Sequence, residues 1–238
     1  MDKMFGRYSI PLRVEADHIL VTAEKKNGYV VYRRKCREEQ KEKVLLAKNT
    51  EILINPVEPI NKPKEITNYL LIHLDTPVVV EPESTHKIYL TFPVAVGVFI
   101  KRNRDYDILD IFTLASQKYT LYGNPQRGVI CRYWKSTVHT DPPEIKSYQL
   151  GLMALSVKNA TEKWITVTRA VFNAYGMKIH YSDRLVSMKA SMKVFGENHA
   201  ETQFSSSAFQ KDMKKSLELY TVRKLSILST TYTMMEGL

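Results

Sequence analysis

Residues 68–100 read NYLLIHLDTPVVVEPESTHKIYLTFPVAVGVFI, and this run decides the fold class. Side chains alternate across a strand, so Leu70, Ile72 and Leu74 face one way and Tyr69, Leu71 and His73 the other. Both sets are largely apolar, which predicts a strand covered on both faces. Thr76-Pro77 is expected to interrupt it, because proline cannot donate to a ladder. Val78, Val79 and Val80 are β-branched and suit a pleated surface. Glu81-Pro82-Glu83-Ser84 reads as a turn. Ile88, Leu90 and Phe92 then alternate with Lys87, Tyr89 and Thr91, and after Pro93 a further apolar row runs through Val94, Val96, Val98 and Ile100. Alternation between turn signals points to a sandwich or barrel, and the 3.6-residue period of a helix is absent.

Working outward, the same grammar repeats. Asn27-Gly28 joins two apolar runs as a hairpin turn, since both residues tolerate positive φ. The charged run RRKCREEQKEK after it is read as a loop or a short helical turn, and NPVEPINKPK over 55–64 as an extended connector. Downstream, Ile108 to Leu114 form a mostly buried strand. Residues 118–122 and 129–135 flank the turn residues GNPQRG at 123–128. Val171 to Tyr175 and Met177 to Tyr181 are read as a strand pair around Gly176. Val186, Met188, Ala190, Met192 and Val194 alternate with Ser187, Lys189, Ser191 and Lys193, the pattern of a strand with one wet face. Strands are also expected near 198–204 and 225–234, while 209–220 fits either a helix face or a strand. The fold expected is all-β, two β-sandwich-like domains of short antiparallel strands with little helix. HTDPPEI at 139–145 is the expected boundary, giving domains 1–142 and 143–238.

Composition narrows the function classes. The chain has 238 residues, enough to bury a sizeable core, and a formal charge of +10. The surplus is diffuse: 22 Lys+Arg against 17 Asp+Glu before Pro143, and 13 against 8 after it, so each part carries +5. A nucleic-acid binder shows a clustered footprint, which argues against that partner. No run approaches the ~20 apolar residues of a spanning helix, though peripheral contact with an anionic membrane face stays open. The amino terminus lacks the apolar core of a signal peptide, and Cys36 and Cys131 lack metal-ligand spacing; the expected location is the cytoplasm, with both thiols reduced.

Chemistry-bearing motifs are missing. There is no phosphate loop, dinucleotide fingerprint, HExxH, CxxC or GxSxG, so no catalytic residue, cofactor or metal is assigned. His73 with Asp75 on one strand face, and His180 further on, are the groups an enzyme or small-ligand reading would use. Asp105, Asp107 and Asp110 miss the calcium-loop pattern and read as a solvated start to a strand. Asn159-Ala160-Thr161 matches a glycosylation sequon and reads more simply as a turn before Trp164. The most suggestive cluster interleaves aromatic and basic residues around one hairpin: Lys118, Tyr119, Tyr122, Arg127, Arg132, Tyr133 and Trp134. That mixture suits an interaction surface or base stacking, and equally a tyrosine-rich β core with charged outer positions.

Several runs taken together resemble one family. INPVEP, ITNYLL, EPESTHKIYLTFP, DIFTL, KYTLYG, GVICRYW, VFNAYGMKI and MKKSLELY are similar to the archaeal family known as domain of unknown function 432, over roughly Phe5 to Tyr220. The resemblance implies an archaeal source and a self-contained protein of similar length, and carries no activity, cofactor or site residue. The function expected from the residues is therefore a non-catalytic interaction module or accessory subunit, its partner a protein or a second copy of itself. The alternatives are a binder of anionic surfaces, or a small-ligand protein or enzyme with a pocket between sheets.

Overall fold

The computed structural model describes residues 3–47, 50–59, 66–102, 105–145, 148–222 and 229–238. In chain order the first strands are β1 (Gly6–Ser9), β2 (Leu12–Ala16), β3 (Ile19–Lys26), β4 (Tyr29–Cys36), β5 (Glu39–Leu45) and β6 (Glu51–Val57). The central run gives β7 (Tyr69–Val80), β8 (Thr85–Pro93), β9 (Ala95–Arg102) and β10 (Asp105–Thr113). The hairpin of β11 (Lys118–Tyr122) and β12 (Val129–Ser136) follows. Beyond it lie β13 (Leu150–Asn159), β14 (Ile165–Asn173), β15 (His180–Tyr181), β16 (Val186–Gly196) and β17 (His199–Ser205). The chain closes with β18 (Lys214–Lys215), a four-residue helix α1 (Leu219–Val222) and β19 (Tyr232–Met234). The protein is all-β.

Four sheets share the work. The meander β2-β3-β4-β5 is local and antiparallel, its turn at Gly28 held at φ 88°. A second sheet runs β1-β6-β9-β10 and a third β11-β12-β7-β14. The fourth runs β18-β15-β16-β13-β8, with β17 continuing from the far end of β16 and β19 from β17. Two pairs are parallel, β12 with β7 and β13 with β16, where a wholly antiparallel fold was expected. Parallel partners need a long crossover, and here other strands rather than a helix fill it.

The central run behaves as its pattern predicts. Leu70, Leu71, Ile72 and Leu74 are all buried, so β7 is covered on both faces. It continues through Thr76-Pro77, however, because Pro77 falls where the β14 register shifts between Val167 and Arg169. A residue in that irregular stretch has no ladder position to fill. Ile88, Leu90 and Phe92 are buried, as are Val186, Met188, Ala190, Met192 and Val194. One hydrophobic cluster joins Met4 to Leu238 through residues on both sides of the expected boundary.

Pairing also crosses that boundary. Residues 85–93 of β8 pair with β13, and β7 pairs with β14. Two sheets are thus built from strands drawn from 1–142 and 143–238 together. The segment at 139–145 is itself tied in, since Tyr89 and His139 exchange backbone hydrogen bonds at 2.8 and 3.0 Å.

Other local expectations are corrected. RRKCREEQKEK is not a loop: β4 and β5 run through it, with Arg33 paired to Glu42 at 2.6 Å and only Arg37-Glu38 turning. Charges on a wet sheet face can satisfy one another across strands, so high polarity alone does not mark a loop. Cys36, inside that run, is buried. Around Gly176 the chain forms a 3₁₀ turn over Ala174–Gly176, with Asn173 accepting from the Tyr175 N–H, and β15 does not begin until His180. The connector 55–64 is strand as far as Val57, and its residues 60–64 lie outside the described set, as does the start of the expected strand at 225–234.

Candidate interaction surface at the β11–β12 hairpin

Alternation and turn chemistry build this hairpin. Asn124 Oδ1 accepts from the Gln126 and Arg127 N–H groups at 3.1 and 2.9 Å, and the Gly128 N–H donates to the Asn124 carbonyl at 2.7 Å. The turn fixes a register in which Lys118 faces Tyr133, Tyr119 faces Arg132, and Leu121 faces Ile130.

The structure divides the seven residues predicted here. Lys118 and Arg127 are exposed. Tyr122 is buried, its hydroxyl donating to the Gly237 carbonyl at 3.0 Å and its ring meeting Tyr232 edge-on. Tyr133 is half-buried and stacks on His73 with ring centroids 6.2 Å apart. Trp134 is half-buried, its Nε1 donating to Thr91 Oγ1 at 3.1 Å. Tyr119 is half-buried over Arg132, whose Cζ lies 5.7 Å from the ring centroid. Arg132 itself has no exposed surface. Tyr133 and Trp134 therefore seat the hairpin on β7 and β8, and Tyr122 ties it to β19 and Gly237.

What reaches solvent instead is an apolar pair that sequence reasoning missed. Leu121 is 44% exposed and Ile130 is 51% exposed, directly opposite each other. Ile66 is exposed too, and its neighbour Thr67 donates to the Ile130 carbonyl. The period-2 pattern was the available signal: Leu121 and Ile130 each stand next to a buried residue, Tyr122 and Cys131 respectively. Cys131 is no nucleophile here, because burial pushes its thiol up to about 12.

Beneath the pair, Arg132 is incompletely satisfied. Its Nη2 donates to the Ser116 carbonyl at 2.7 Å, while Nε and Nη1 are buried with no acceptor among the described residues. The side-chain nitrogen of Gln117, the next residue after Ser116, is likewise buried and unpaired. Burial holds this guanidinium below the ordinary arginine range.

The groups an enzyme reading would use are dispersed. His73 lies on Tyr133, Asp75 is exposed midway along β7, and His180 is buried with its Nδ1 3.1 Å from the Lys178 carbonyl. None of the three lines the main groove, an open cleft of about 860 Å³ between β1 and β18. Lys3, Arg7, Lys214 and Lys215 line it together with Tyr8, Tyr106 and Tyr181. Three of those cations are already matched, Lys3 to Asp183, Arg7 to Glu51 and Lys215 to Glu218. The sequon asparagine, Asn159, is fully buried and donates to the carbonyls of Val80, Glu81 and Lys163, which makes it the staple of its turn. Among the described residues no three histidine, cysteine or acidic side chains converge as a metal site, and no helix is long and apolar enough to cross a membrane.

The fold and its hairpin define an all-β protein with an uncovered apolar sheet edge and no assembled catalytic group among the described residues. The chain belongs to the family described as "Protein of unknown function (DUF432)", whose model matches residues 4–236. No curated protein and no solved structure matches it.

Proposed function

We propose that the protein is a non-catalytic interaction module of the cytoplasm that takes an extended segment of a protein partner onto the outer edge of β11. The observation that supports this reading is the exposed pair of Leu121, on an outermost strand that pairs only with β12 among the described residues, and Ile130 opposite it on β12. An edge of this kind templates strand addition, with main-chain bonds giving affinity and alternate side chains giving specificity. Three other sheet edges are guarded. β5 carries Glu39, Lys41, Glu42 and Lys43 along its length, and β8 is bridged by His139 and capped where Ser136 Oγ accepts from the Thr91 N–H. At β14, Val171 is engaged through its carbonyl by Thr202 and through its N–H by the Met234 sulfur. β11, KYTLY, has one charge at its start and no such cover. Two free, buried thiols are in keeping with a reducing compartment.

The test is co-purification from the native host, with nuclease and detergent, of wild type beside Leu121→Glu and Ile130→Glu. A stoichiometric protein partner lost from both variants is the expected result; a partner retained by both sinks the reading. A second reading, a binder of small anionic ligands, is favoured by the cationic, tyrosine-lined groove between β1 and β18, whose volume is in the range of ligand sites. Calorimetry with inorganic pyrophosphate decides it: binding abolished by Lys214→Ala supports the groove, and absence of heat removes it.

A further inference from the structure

Among the described residues two arginines are buried, and they are treated differently. Arg34 in β4 donates from Nε to Asp110 at 2.8 Å and from Nη1 to Glu39 at 3.1 Å, with its guanidinium over Phe112. Arg132 is as deeply buried, yet its nearest polar partner is one neutral carbonyl, and two of its nitrogens face no acceptor among the described residues. A buried guanidinium without a counter-charge is costly, and native buried donors are nearly always paired. The unpaired Gln117 nitrogen stands one residue from the carbonyl that Arg132 does bond. Two orphan donors thus lie on Arg132 against the Tyr119 ring, and a third belongs to Gln117, the residue just before β11.

We propose that this corner receives a carboxylate from the segment that adds to β11, so that the partner strand is acidic and carries a Glu or Asp beside an apolar residue. The inference rests on the strand-addition reading and names the partner's chemistry. Nε and Nη1 lie on different edges of the guanidinium, and each offers a charge-assisted bond to a carboxylate oxygen. Tyr119, half-buried on the outermost strand, is the side chain that must turn aside. The apolar residue of the incoming strand then covers Leu121 and Ile130. Self-pairing of β11 is disfavoured, because a second copy brings Lys118 and Arg132 of like charge and no acid.

Two labelled octapeptides test this, one alternating valine and glutamate and one alternating valine and glutamine, titrated by fluorescence anisotropy against the full chain. The glutamate peptide is expected to bind about tenfold more tightly, the scale of one charge-assisted bond. Arg132→Met removes that preference and keeps the weaker, common binding, whereas Lys118→Ala with Arg127→Ala leaves the preference in place. Leu121→Glu weakens both peptides. Equal affinity of wild type for the two peptides overturns the carboxylate corner and leaves strand addition standing. Binding of neither overturns both. If Arg132→Met does not fold, the wild type and the double surface variant decide alone: a preference lost with Lys118 and Arg127 assigns it to the surface and ends the proposal.

Discussion

Asp110 shows what one buried side chain can organise. Its carboxylate accepts from Arg34 Nε at 2.8 Å, Tyr32 Oη at 3.1 Å and Lys41 Nζ at 2.6 Å, tying the meander to β10. Asp110→Ala strands a guanidinium that is 1% exposed, and is expected to cost about 3–5 kcal/mol in urea unfolding. A loss under about 1 kcal/mol would show that the cluster is not what holds the sheets together. Glu58 gives a pH signature. Fully buried, with the Leu219 N–H donating to both its oxygens and Glu218 and Lys178 near it, its carboxyl is pushed by burial up to about 7. The folded state therefore holds a proton that the unfolded chain has released, and stability falls as pH rises from about 4.5 to about 7, by at most roughly 3 kcal/mol. His180, whose ring burial holds below the usual histidine range, works in the opposite sense, so the comparison is wild type against Glu58→Gln. The variant is expected to lose the downward slope; an unchanged slope assigns it elsewhere. Neither residue's role was legible in the sequence. Asp110 read as solvated because its partners lie 69 to 78 positions away, and no local pattern records such a separation.

Single strands were the most legible level, because burial on one or two faces writes itself into the residue period. β8 follows its alternation from Ile88 to Phe92 and β16 from Met188 to Val194, while Ser187, expected on the wet face, is buried; the Asn27-Gly28 turn joins β3 to β4 as its chemistry demands. Register and neighbours were not legible. Gly151 faces Phe92 across β13 and β8, and a Cβ there would lie 2.3 Å from the ring. Phe92 is fully buried and cannot swing out. Gly151→Ala is therefore expected to cost about 1–3 kcal/mol by overpacking, read as a lowered urea midpoint with unchanged slope. No change in the midpoint would mean that the ring has room to retreat. The hairpin teaches the converse lesson. Its tyrosines and arginines drew attention as surface groups, but Tyr122 and Arg132 point inward, and the exposed pair, Leu121 and Ile130, belongs to the types usually assigned to a core.

At the scale of the whole molecule, the strand order is what the sequence withheld. A proline-rich, polar stretch such as HTDPPEI carries the composition of a linker, yet β7 and β8 on one side of it find β14 and β13 on the other. Composition reports local flexibility and says nothing of which edges meet. A fragment of residues 1–142 lacks β14, one of the two partners of β7, and β13, the strand that β8 pairs with, and is expected to give a poorly dispersed amide spectrum and to aggregate. Sharp, dispersed signals from that fragment would support the division into 1–142 and 143–238.

The same cross-boundary pairing has a consequence for how the protein is born. A ribosome releases the chain from its amino terminus, so β8 emerges well before the β13 that must lie against it, and β7 before β14. Between those moments the nascent chain displays the apolar rows of Leu70, Ile72, Ile88, Leu90 and Phe92 with half their ladder unmade. The meander of β2 to β5 can close as it is made, being antiparallel and sequential. Synthesis thus runs through a quick local phase and then a long wait, and during that wait a holdase or a slowed ribosome has the most to protect.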